Sequence, residues 1–427
     1  MNRIILIGNG FDLAHGLPTR YEDFVKWYWE RRLQKLEKNK TIVSSDTLCT
    51  FTLERGFYLN GNTMNSWSDI YQYYKKELAD KVSATEYFLH LVDESELCVC
   101  EISPFFDNVC RSIETKGWVD IENEYYRVLI QCSVENKDIK CTVQALNKQL
   151  HYVQTLLVEY LCGLKHVVEN KGIRNLIYEP IKVNDISVVN QEKLVAYFQY
   201  WLQQNEDTLR EKMREYGLDN EAIEDEIDWR RDLMVKIHEA AVFKTLARYN
   251  DYFPRIGLFP EKILFLNFNY TENAMQYFIK NRDCFQLNYI HGRLDKPDSI
   301  IFGYGDELDE KYDKLLALND NECLRYMKSF KYLESSNYRD MLLFIESAPY
   351  QVYIMGHSCG NSDRTLLNTL FEHRNCVTIK PFYHKKDGKT DDYLNIVQNI
   401  SRSFTDMKLM RDRVVNKTYC SPLPQNI

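Results

Sequence analysis

Short apolar runs near both ends of the chain alternate with helical patterns. The runs are bounded by glycine or polar residues, which is typical of strands buried in a parallel sheet. The predicted strands are Ile4–Ile7, Ile263–Asn267, Gln286–Ile290, Ser299–Phe302, Gln351–Met355 and Val377–Lys380. The predicted helices between them are Thr271–Asn281, Tyr338–Ile345 and Arg364–His373. This alternation predicts an α/β fold of the doubly wound kind, with a mostly parallel sheet of about six strands.

A helical period dominates the middle of the chain, from about Tyr21 to Phe253. The clearest helical stretches are Trp67–Val92, Thr142–Val168, Lys193–Tyr216 and Glu221–Tyr249. One short extended piece is predicted at Lys182–Val188. The sequence has no linker rich in Pro, Gly or Ser between the parts. We therefore expect one discontinuous domain at residues 1–24 and 255–427. Residues 25–254 form a large, mainly α-helical insertion after the first strand in this interpretation.

Charge and cysteine content narrow the class of protein. The 427 residues include 54 Lys and Arg against 62 Asp and Glu, a net charge of −8, which argues against a main role in binding nucleic acid. The 12 cysteines include no C-x-x-C pair, so we expect no metal site. Neither a signal-peptide pattern nor a run of eighteen apolar residues occurs. We expect a soluble cytoplasmic protein without a membrane partner.

The first predicted strand runs directly into a glycine turn. The turn and the residue that closes it are Gly8, Asn9, Gly10, Phe11, Asp12 and Gly16. Backbone N–H groups of such a turn can approach a phosphate closely, because glycine has no Cβ. Leu13 stands where the dinucleotide fingerprint G-x-G-x-x-G has its third glycine. Asp12 either accepts a hydrogen bond from a ribose hydroxyl or caps the turn.

Three further clusters follow predicted strands, which is where ligands bind in open α/β sheets. They contain Asn269, His291-Gly292 and Gly356-His357-Ser358. The Asn269 amide can both donate and accept hydrogen bonds. A neutral His291 imidazole can act as a general base near pH 7. The last cluster offers N–H groups and the Ser358 hydroxyl to a phosphate.

The last cluster also has the G-x-S-x-G pattern of the hydrolase nucleophile elbow, from Gly356 to Gly360. A serine hydrolase needs an acid and then a histidine after the serine. Asp363 with His373 or His384 supplies that order. Most of the hydrolase sheet would have to precede the elbow, where the early chain is largely helical. A serine hydrolase is therefore kept as an alternative and is not the favoured reading.

The four clusters, in this order, resemble the SIR2-like (sirtuin-type) NAD-binding fold. Sirtuins carry Gly-Ala-Gly-x-Ser-x-x-x-Gly-Ile-Pro, and residues 8–18 read Gly-Asn-Gly-Phe-Asp-Leu-Ala-His-Gly-Leu-Pro at the same spacing. The sirtuin Gln-Asn-x-Asp, His-Gly, Phe-Gly-Glu and Gly-Thr-Ser runs are similar to Phe268-Asn269-Tyr270-Thr271, His291-Gly292, Phe302-Gly303-Tyr304 and Gly356-His357-Ser358. Asp12 and Thr271 replace the sirtuin serine and aspartate, and the sirtuin zinc module is missing.

The opening run resembles the AbiH family of bacteriophage abortive-infection proteins more closely. Residues 7–19, which read Ile-Gly-Asn-Gly-Phe-Asp-Leu-Ala-His-Gly-Leu-Pro-Thr, carry this likeness. The other matching runs are Trp118-Val119-Asp120-Ile121-Glu122 and the Gly-His-Ser-x-Gly-x-x-Asp run that ends at Asp363. The AbiH resemblance implies a role in antiphage defence, with a phage-derived trigger as a partner.

The SIR2-like resemblance implies a Rossmann-like nucleotide-binding domain that cleaves NAD at the nicotinamide–ribose bond. NAD or a related nucleotide is then the substrate, with no further cofactor. The resemblance makes His291 the base and Asn269 the amide that orients the substrate. The residues expected to hold the nucleotide are Gly8, Asn9, Gly10, Phe11, Asp12, Gly16, Gly292, Gly356, His357, Ser358 and Asp363.

A second alternative stays open beside the serine hydrolase. It is a non-catalytic nucleotide-sensing module that triggers defence through a partner or through its helical insertion. We expect a homo-oligomer in either case. Asp120 and Glu122 either mark a metal or contact site or belong to a solvated helix face, and we favour the solvated face.

Overall fold

The structure is a computed structural model, and it describes most of the chain. The described residues are 1–53, 57–59, 62–64, 66–78, 83–93, 98–117, 119–135, 141–187, 190–215, 217–242, 259–280, 282–386 and 390–426. Trp118, the end of the helix predicted at Glu221–Tyr249 and the predicted domain boundary at residues 254 and 255 lie outside them. The division into domains therefore stays a prediction.

Within the described residues, ten strands form three sheets. The strands are β1 (Asn2–Ile7), β2 (Val43–Ser45), β3 (Cys49–Leu53), β4 (Phe57–Leu59), β5 (Asn62–Met64), β6 (Cys98–Ile102), β7 (Ile263–Asn267), β8 (Phe285–Tyr289), β9 (Tyr350–Met355) and β10 (Cys376–Phe382). The main sheet is all-parallel, in the order β10-β9-β1-β7-β8. The predicted α/β fold with a parallel sheet is confirmed.

The chain changes direction across the main sheet at one place. It runs from β1 outward to β7 and β8, then crosses to β9 and β10 on the other side of β1. Doubly wound, Rossmann-like sheets open a crevice at such a switch point, beyond the carboxyl ends of the two strands that flank it. In this protein the switch point lies between β1 and β9.

The central strands form where the apolar runs are continuous. Every residue of β1, β7, β9 and β10 is buried, whereas the edge strand β8 is partly exposed. The strand predicted at Ser299–Phe302 does not form, so the sheet has five strands. Pro297 begins a 3-10 turn there, since its fixed φ suits a turn and it has no N–H for a strand ladder.

The described helices lie mainly between β1 and β7 and after β8. They are α1 (Asn9–Ala14), α2 (Tyr21–Glu37), α3 (Trp67–Glu77), α4 (Ala84–Phe88), α5 (Pro104–Lys116), α6 (Ile121–Ser133), α7 (Val143–Cys162), α8 (Lys171–Ile177), α9 (Gln191–Glu215), α10 (Asn220–Val242), α11 (Glu310–Ala317), α12 (Asn321–Leu324), α13 (Lys328–Lys331), α14 (Asn337–Ser347), α15 (Arg364–Glu372), α16 (Tyr393–Arg402) and α17 (Met407–Arg413). Of the helices described, none is both long enough and apolar enough to cross a bilayer.

Most predicted helices are present, and two local predictions are wrong. The predicted helix Thr271–Asn281 is only a 3-10 turn at Asn273–Tyr277, because Thr271 donates its hydroxyl to Asp12 instead of capping a helix. The extended piece predicted at Lys182–Val188 contains a 3-10 turn. The middle region is mostly helical, as predicted. It also contains two small antiparallel sheets, β2-β3-β6 and β4-β5, that the sequence did not predict.

One apolar core joins the middle region to the segment after β8. The core includes residues of α2, α5, α6 and α7 together with Ile300, Phe302 and Tyr304. The ring of Tyr126 in α6 stacks on Tyr304 at 3.9 Å. This packing brings the start of α6 close to the carboxyl ends of the main sheet.

Candidate functional site

Two glycine turns face each other at the switch point. Gly8 follows β1 and Gly10 lies in the first turn of α1, and Gly356 follows β9 with a φ of +77°. A Cβ on Gly8 would lie 2.5 Å from the Cα of His357, and one on Gly356 would lie 2.0 Å from the nitrogen of Phe11. A side chain at either position would therefore push the two turns apart.

This close approach occupies N–H groups that were predicted to contact a phosphate. The Gly10 N–H donates to the Gly356 carbonyl at 2.7 Å, and the Gly8 N–H donates to the Met355 carbonyl at 3.3 Å. Asn9 and Ser358 are the exposed residues of the two turns. These two residues, rather than the glycines, have exposed polar side chains at the switch point.

Asn269 and Asp12 tie the end of β7 to the first glycine turn. The Asn269 amide donates to the Gly8 carbonyl at 3.0 Å and also hydrogen-bonds Asp12. The buried Asp12 carboxyl accepts from Thr271 at 2.6 Å and from Asn273 at 2.9 Å. Burial raises the pKa of Asp12 to about 6, although these hydrogen bonds lower it. Asp12 thus fastens two segments together, and its oxygens are already occupied.

A group of ionisable side chains lies buried beyond the ends of β8 and β9. We call His291, Asp363, Lys328 and Glu122 the buried ion cluster. The Oδ1 atom of Asp363 lies 2.8 Å from Lys328 Nζ and 3.1 Å from His291 Nε2. The same ammonium lies 2.9 Å from Glu122 Oε2, and Glu122 Oε1 accepts the Gly303 N–H at 2.9 Å. Charge-assisted hydrogen bonds therefore link Glu122 to His291 through Lys328 and Asp363.

Burial and mutual charge set the protonation states in this cluster. Burial, together with the charge of Lys328, lowers the pKa of His291 to about 4, so the imidazole is neutral at pH 7. Burial alone would raise the pKa of Asp363, but Lys328 and His291 hold it well below its usual range. Burial, reinforced by Asp363, raises the pKa of Glu122 to about 7. Asp363 is the permanently ionised partner of His291.

Hydrogen bonds decide which nitrogen of each histidine carries the proton. His357 Nδ1 accepts the Cys359 N–H at 2.9 Å, so the neutral ring carries its hydrogen on Nε2, 3.6 Å from Asp363 Oδ2. Ionised Asp363 can only accept, so His291 donates from Nε2 and its Nδ1 is the nitrogen that can take a proton. The Phe268 ring packs against both imidazoles, at 5.0 Å from His291 and 4.2 Å from His357. The structure therefore brings together three of the sequence-predicted site residues.

Phe11, Gly16 and Gly292 shape the surrounding backbone. The Phe11 ring is fully buried in the apolar core. Gly16 follows α1 in the left-handed conformation, with a φ of +83°. A Cβ on Gly292 would lie 2.2 Å from the Ser299 carbonyl oxygen, so this glycine lets the following loop fold back beside His291. Their assignment to a bound nucleotide stays a prediction.

The sequence did not reveal Lys328 or Tyr332. Lys328 opens the four-residue helix α13 and is 0% exposed, and the Tyr332 hydroxyl lies 3.1 Å from His291 Nε2. Placing Glu122 and Asp120 on a solvated helix face was wrong, because Glu122 is buried and Asp120 caps the start of α6. An acidic residue directly before an apolar helical run is the signal that identifies such a cap.

Ser358 does not have the surroundings of a hydrolase nucleophile. Among the described residues, no hydrogen bond joins its hydroxyl to a histidine. His373 lies 3.1 Å from Glu346 Oε1, and Asp363 contacts His291 instead. The strained residue of the turn is Cys359, with a φ of +53°, whereas a nucleophile elbow places the serine there. This geometry gives the serine hydrolase no support.

The buried ion cluster is arranged for proton transfer. In the part of the chain that the structure describes, no group of three or more His, Cys, Asp or Glu side chains is placed to hold a metal ion. The Lys328 ammonium fills the space between the two carboxylates that a cation would need. A neutral imidazole oriented by an ionised carboxylate is the arrangement of a general base.

Comparison with known proteins adds the family. No curated protein and no solved structure matches the chain. Residues 4–384 match the family described as "Bacteriophage abortive infection AbiH", a stretch that includes both glycine turns and the whole buried ion cluster. This match confirms the AbiH resemblance, while the SIR2-like resemblance stays a prediction. Because the match covers most of its length, the chain belongs to the bacteriophage abortive infection AbiH family.

Proposed function

We propose that this protein hydrolyses NAD, or a closely related dinucleotide, at the nicotinamide–ribose bond during abortive infection. The family match indicates the defence role. The observation that supports the reaction is a neutral His291, held by Asp363, beside a switch point of the kind where doubly wound sheets bind dinucleotides. Loss of NAD would stop phage growth by stopping the host.

The proposed reaction consumes one water molecule. The bond between the ribose C1′ and the nicotinamide nitrogen breaks, and its electron pair leaves with nicotinamide. The water oxygen bonds to C1′, and its proton passes to His291 Nδ1 and then to solvent, so the products are nicotinamide and ADP-ribose. Asp363 stabilises the imidazolium that exists while His291 holds this proton. Holding the water and the ribose in place lowers the barrier by several kcal/mol.

Asn269, Asn9 and Ser358 are the proposed substrate contacts. The Asn269 nitrogen is engaged by the Gly8 carbonyl, so its carbonyl oxygen is the atom left to accept from a ribose hydroxyl. Asn9 and Ser358, exposed on the two facing turns, would contact the pyrophosphate. These two side chains take the role predicted for the Gly8 and Gly10 N–H groups, because those groups already donate to the carbonyls of Met355 and Gly356.

A non-catalytic nucleotide sensor is the second candidate. One observation favours it: His291 is only 4% exposed, so a nucleotide in the crevice contacts the two turns before it reaches the base. In a sensor, occupation of the crevice would itself be the signal, and NAD would be recovered unchanged.

Nicotinamide release from NAD, measured by chromatography, separates the two candidates. We expect His291→Ala to lower the release by about 10²- to 10⁴-fold, the usual contribution of a general base, while calorimetry shows that NAD still binds. The matched control is His373→Ala, since His373 also contacts a carboxylate, Glu346, but lies at the opposite end of α15 from Asp363. A sensor would bind NAD without release in the wild type. Release that persists in His291→Ala would reject His291 as the base.

A further inference from the structure

Lys328 and Glu122 have no part in the proposed reaction, yet both are buried beside the group that orients the base. Their ion pair joins residues 206 positions apart, one on α13 and one on α6. Burying an ammonium is costly unless it is paired and hydrogen-bonded. A pair of this kind that also contacts Asp363 couples the middle region directly to the proposed base.

We propose that Lys328 and Glu122 are positioning residues: Lys328, anchored by Glu122, holds Asp363 in the orientation in which its Oδ1 receives the His291 N–H. This inference rests on the proposed function. Because Glu122 belongs to α6, the middle region then completes the site instead of only covering it.

The contacts form one continuous chain of constraints. Asp363 Oδ1 is shared between Lys328 Nζ at 2.8 Å and His291 Nε2 at 3.1 Å, so the ammonium keeps the carboxylate from rotating away from the imidazole. Glu122 fixes the ammonium at 2.9 Å and is itself held by the Gly303 N–H. The backbone at Gly303 is tightly packed, since a Cβ there would lie 2.0 Å from the Tyr326 carbonyl oxygen.

Glu124 provides a matched control on the same helix. It is buried like Glu122, but it accepts from the Ser112 hydroxyl at 2.7 Å and lies 2.7 Å from Arg127. Glu124→Gln therefore perturbs a buried carboxylate of α6 without changing the contacts of Asp363. If a substitution at Glu122 acted only by disturbing the packing of α6, Glu124→Gln would have the same effect. If it acts by releasing Lys328, Glu124→Gln has no effect.

Removal of Lys328 must also change the state of the His291 ring. Asp363, held by Lys328, accepts from His291 Nε2 and so keeps the neutral ring in its Nε2–H form. Lys328→Met alone leaves two buried carboxylates without a cation and is expected to unfold. The double variant Lys328→Met/Glu122→Gln removes one charge of each sign and keeps the balance. In it, no cation holds Asp363 in place, so the His291 N–H loses its fixed acceptor and the ring no longer keeps a single tautomer.

The test combines ¹⁵N NMR of the labelled His291 ring at pH 7 with nicotinamide release from NAD. We expect the double variant to lose the single Nε2–H form of the ring, seen as a change in its ¹⁵N chemical shifts, and to slow release about 10- to 100-fold, as when a partner behind a functional group is lost. Lys328→Arg should recover part of the release, and Glu124→Gln should leave both readouts unchanged. A His291 ring that keeps its Nε2–H form in the folded double variant would overturn the proposal. If the wild type releases no nicotinamide, the proposed function fails, and the ¹⁵N spectrum of the ring still decides the positioning.

Discussion

Two largely buried groups of charged side chains contact the main sheet, one beyond its carboxyl ends and one on its face. The second group, which we call the sheet clamp, consists of Arg3, Gln351, Tyr353, Lys380, Glu179 and Asp185. Arg3 donates to the Ile177 carbonyl at 2.7 Å, and Lys380 Nζ lies 2.8 Å from Asp185 Oδ2. The clamp fastens α8 and the following turn to β1, β9 and β10.

The two groups differ in charge balance. The sheet clamp sets two cations against two carboxylates and contains no histidine among these six residues. The buried ion cluster sets one cation, Lys328, against Glu122 and Asp363, and the imidazoles of His291 and His357 lie beside the second carboxylate. In the sheet clamp each carboxylate charge is matched by a cation, whereas the buried ion cluster has one carboxylate more than it has cations, beside a neutral imidazole. The surplus carboxylate stabilises a proton that the imidazole takes up, so it makes the cluster the candidate for a reactive site, which buried ion pairs alone do not.

The largest expected effect comes from removing one carboxylate in each group. Asp363→Asn and Asp185→Asn both take the closest partner from a buried lysine. We expect Asp363→Asn to lower nicotinamide release by about 10³-fold or more, because the amide no longer orients and stabilises the protonated base. Asp185→Asn should leave the release of the folded protein nearly unchanged. Equal losses in the two variants, measured in one assay, would break the comparison.

A measurement of the free energy of unfolding tests the structural role of the sheet clamp. Lys380→Met takes from Asp185 and Glu179 the buried cation that contacts both, and the free energy of unfolding in urea should fall by about 3–5 kcal/mol. Nicotinamide release at 25 °C should stay at the wild-type rate as long as the protein is folded. If the variant loses less than about 1 kcal/mol, the clamp is not the structural element described here.

The smallest expected effect is a pH dependence of stability. The pKa of His291 is about 4 in the folded protein against an ordinary 6.5, so between these values the unfolded chain binds more protons at this position. Stability at this position is therefore lost as the pH falls. Relative to His291→Gln, the wild type should lose about 2 kcal/mol between pH 7.5 and pH 4.5.

Urea unfolding of both proteins at the two pH values measures this difference. Glu122 acts in the opposite direction, since its raised pKa of about 7 means that the folded protein binds more protons above pH 4.5. Its effect is largely shared by the wild type and His291→Gln, so comparing the two proteins isolates His291. Parallel pH profiles would show that His291 titrates normally.

The parts of the site that follow strands could be predicted from the sequence. Continuous apolar runs identify β1, β7 and β9, and parallel strands bring their carboxyl ends to one edge of the sheet. For this reason His291, which follows β8, meets His357 and Asp363, which follow β9 and lie more than sixty positions further along the chain. The exact use of the glycine turns was not predictable, because only the fold shows that Gly10 and Gly356 pack against each other.

Lys328 and Glu122 could not be found in the same way. Lys328 lies in a short helix whose local pattern resembles an exposed charged turn, and Glu122 lies in the helical middle of the chain. Their pairing depends on a contact between segments 206 positions apart, and no local period encodes it. The strand predicted at Ser299–Phe302 failed for a local reason, since Pro297 starts a turn directly before it.

The most direct test of the central claim measures both products after the purified protein is incubated with NAD. Hydrolysis at the nicotinamide–ribose bond by His291 predicts nicotinamide and ADP-ribose in equal amounts. It predicts about 10²- to 10⁴-fold less of both products from His291→Ala, even though this variant still binds NAD. Cleavage to AMP and nicotinamide mononucleotide, NAD recovered intact from wild-type protein that binds it, or equal product from His291→Ala would contradict the claim.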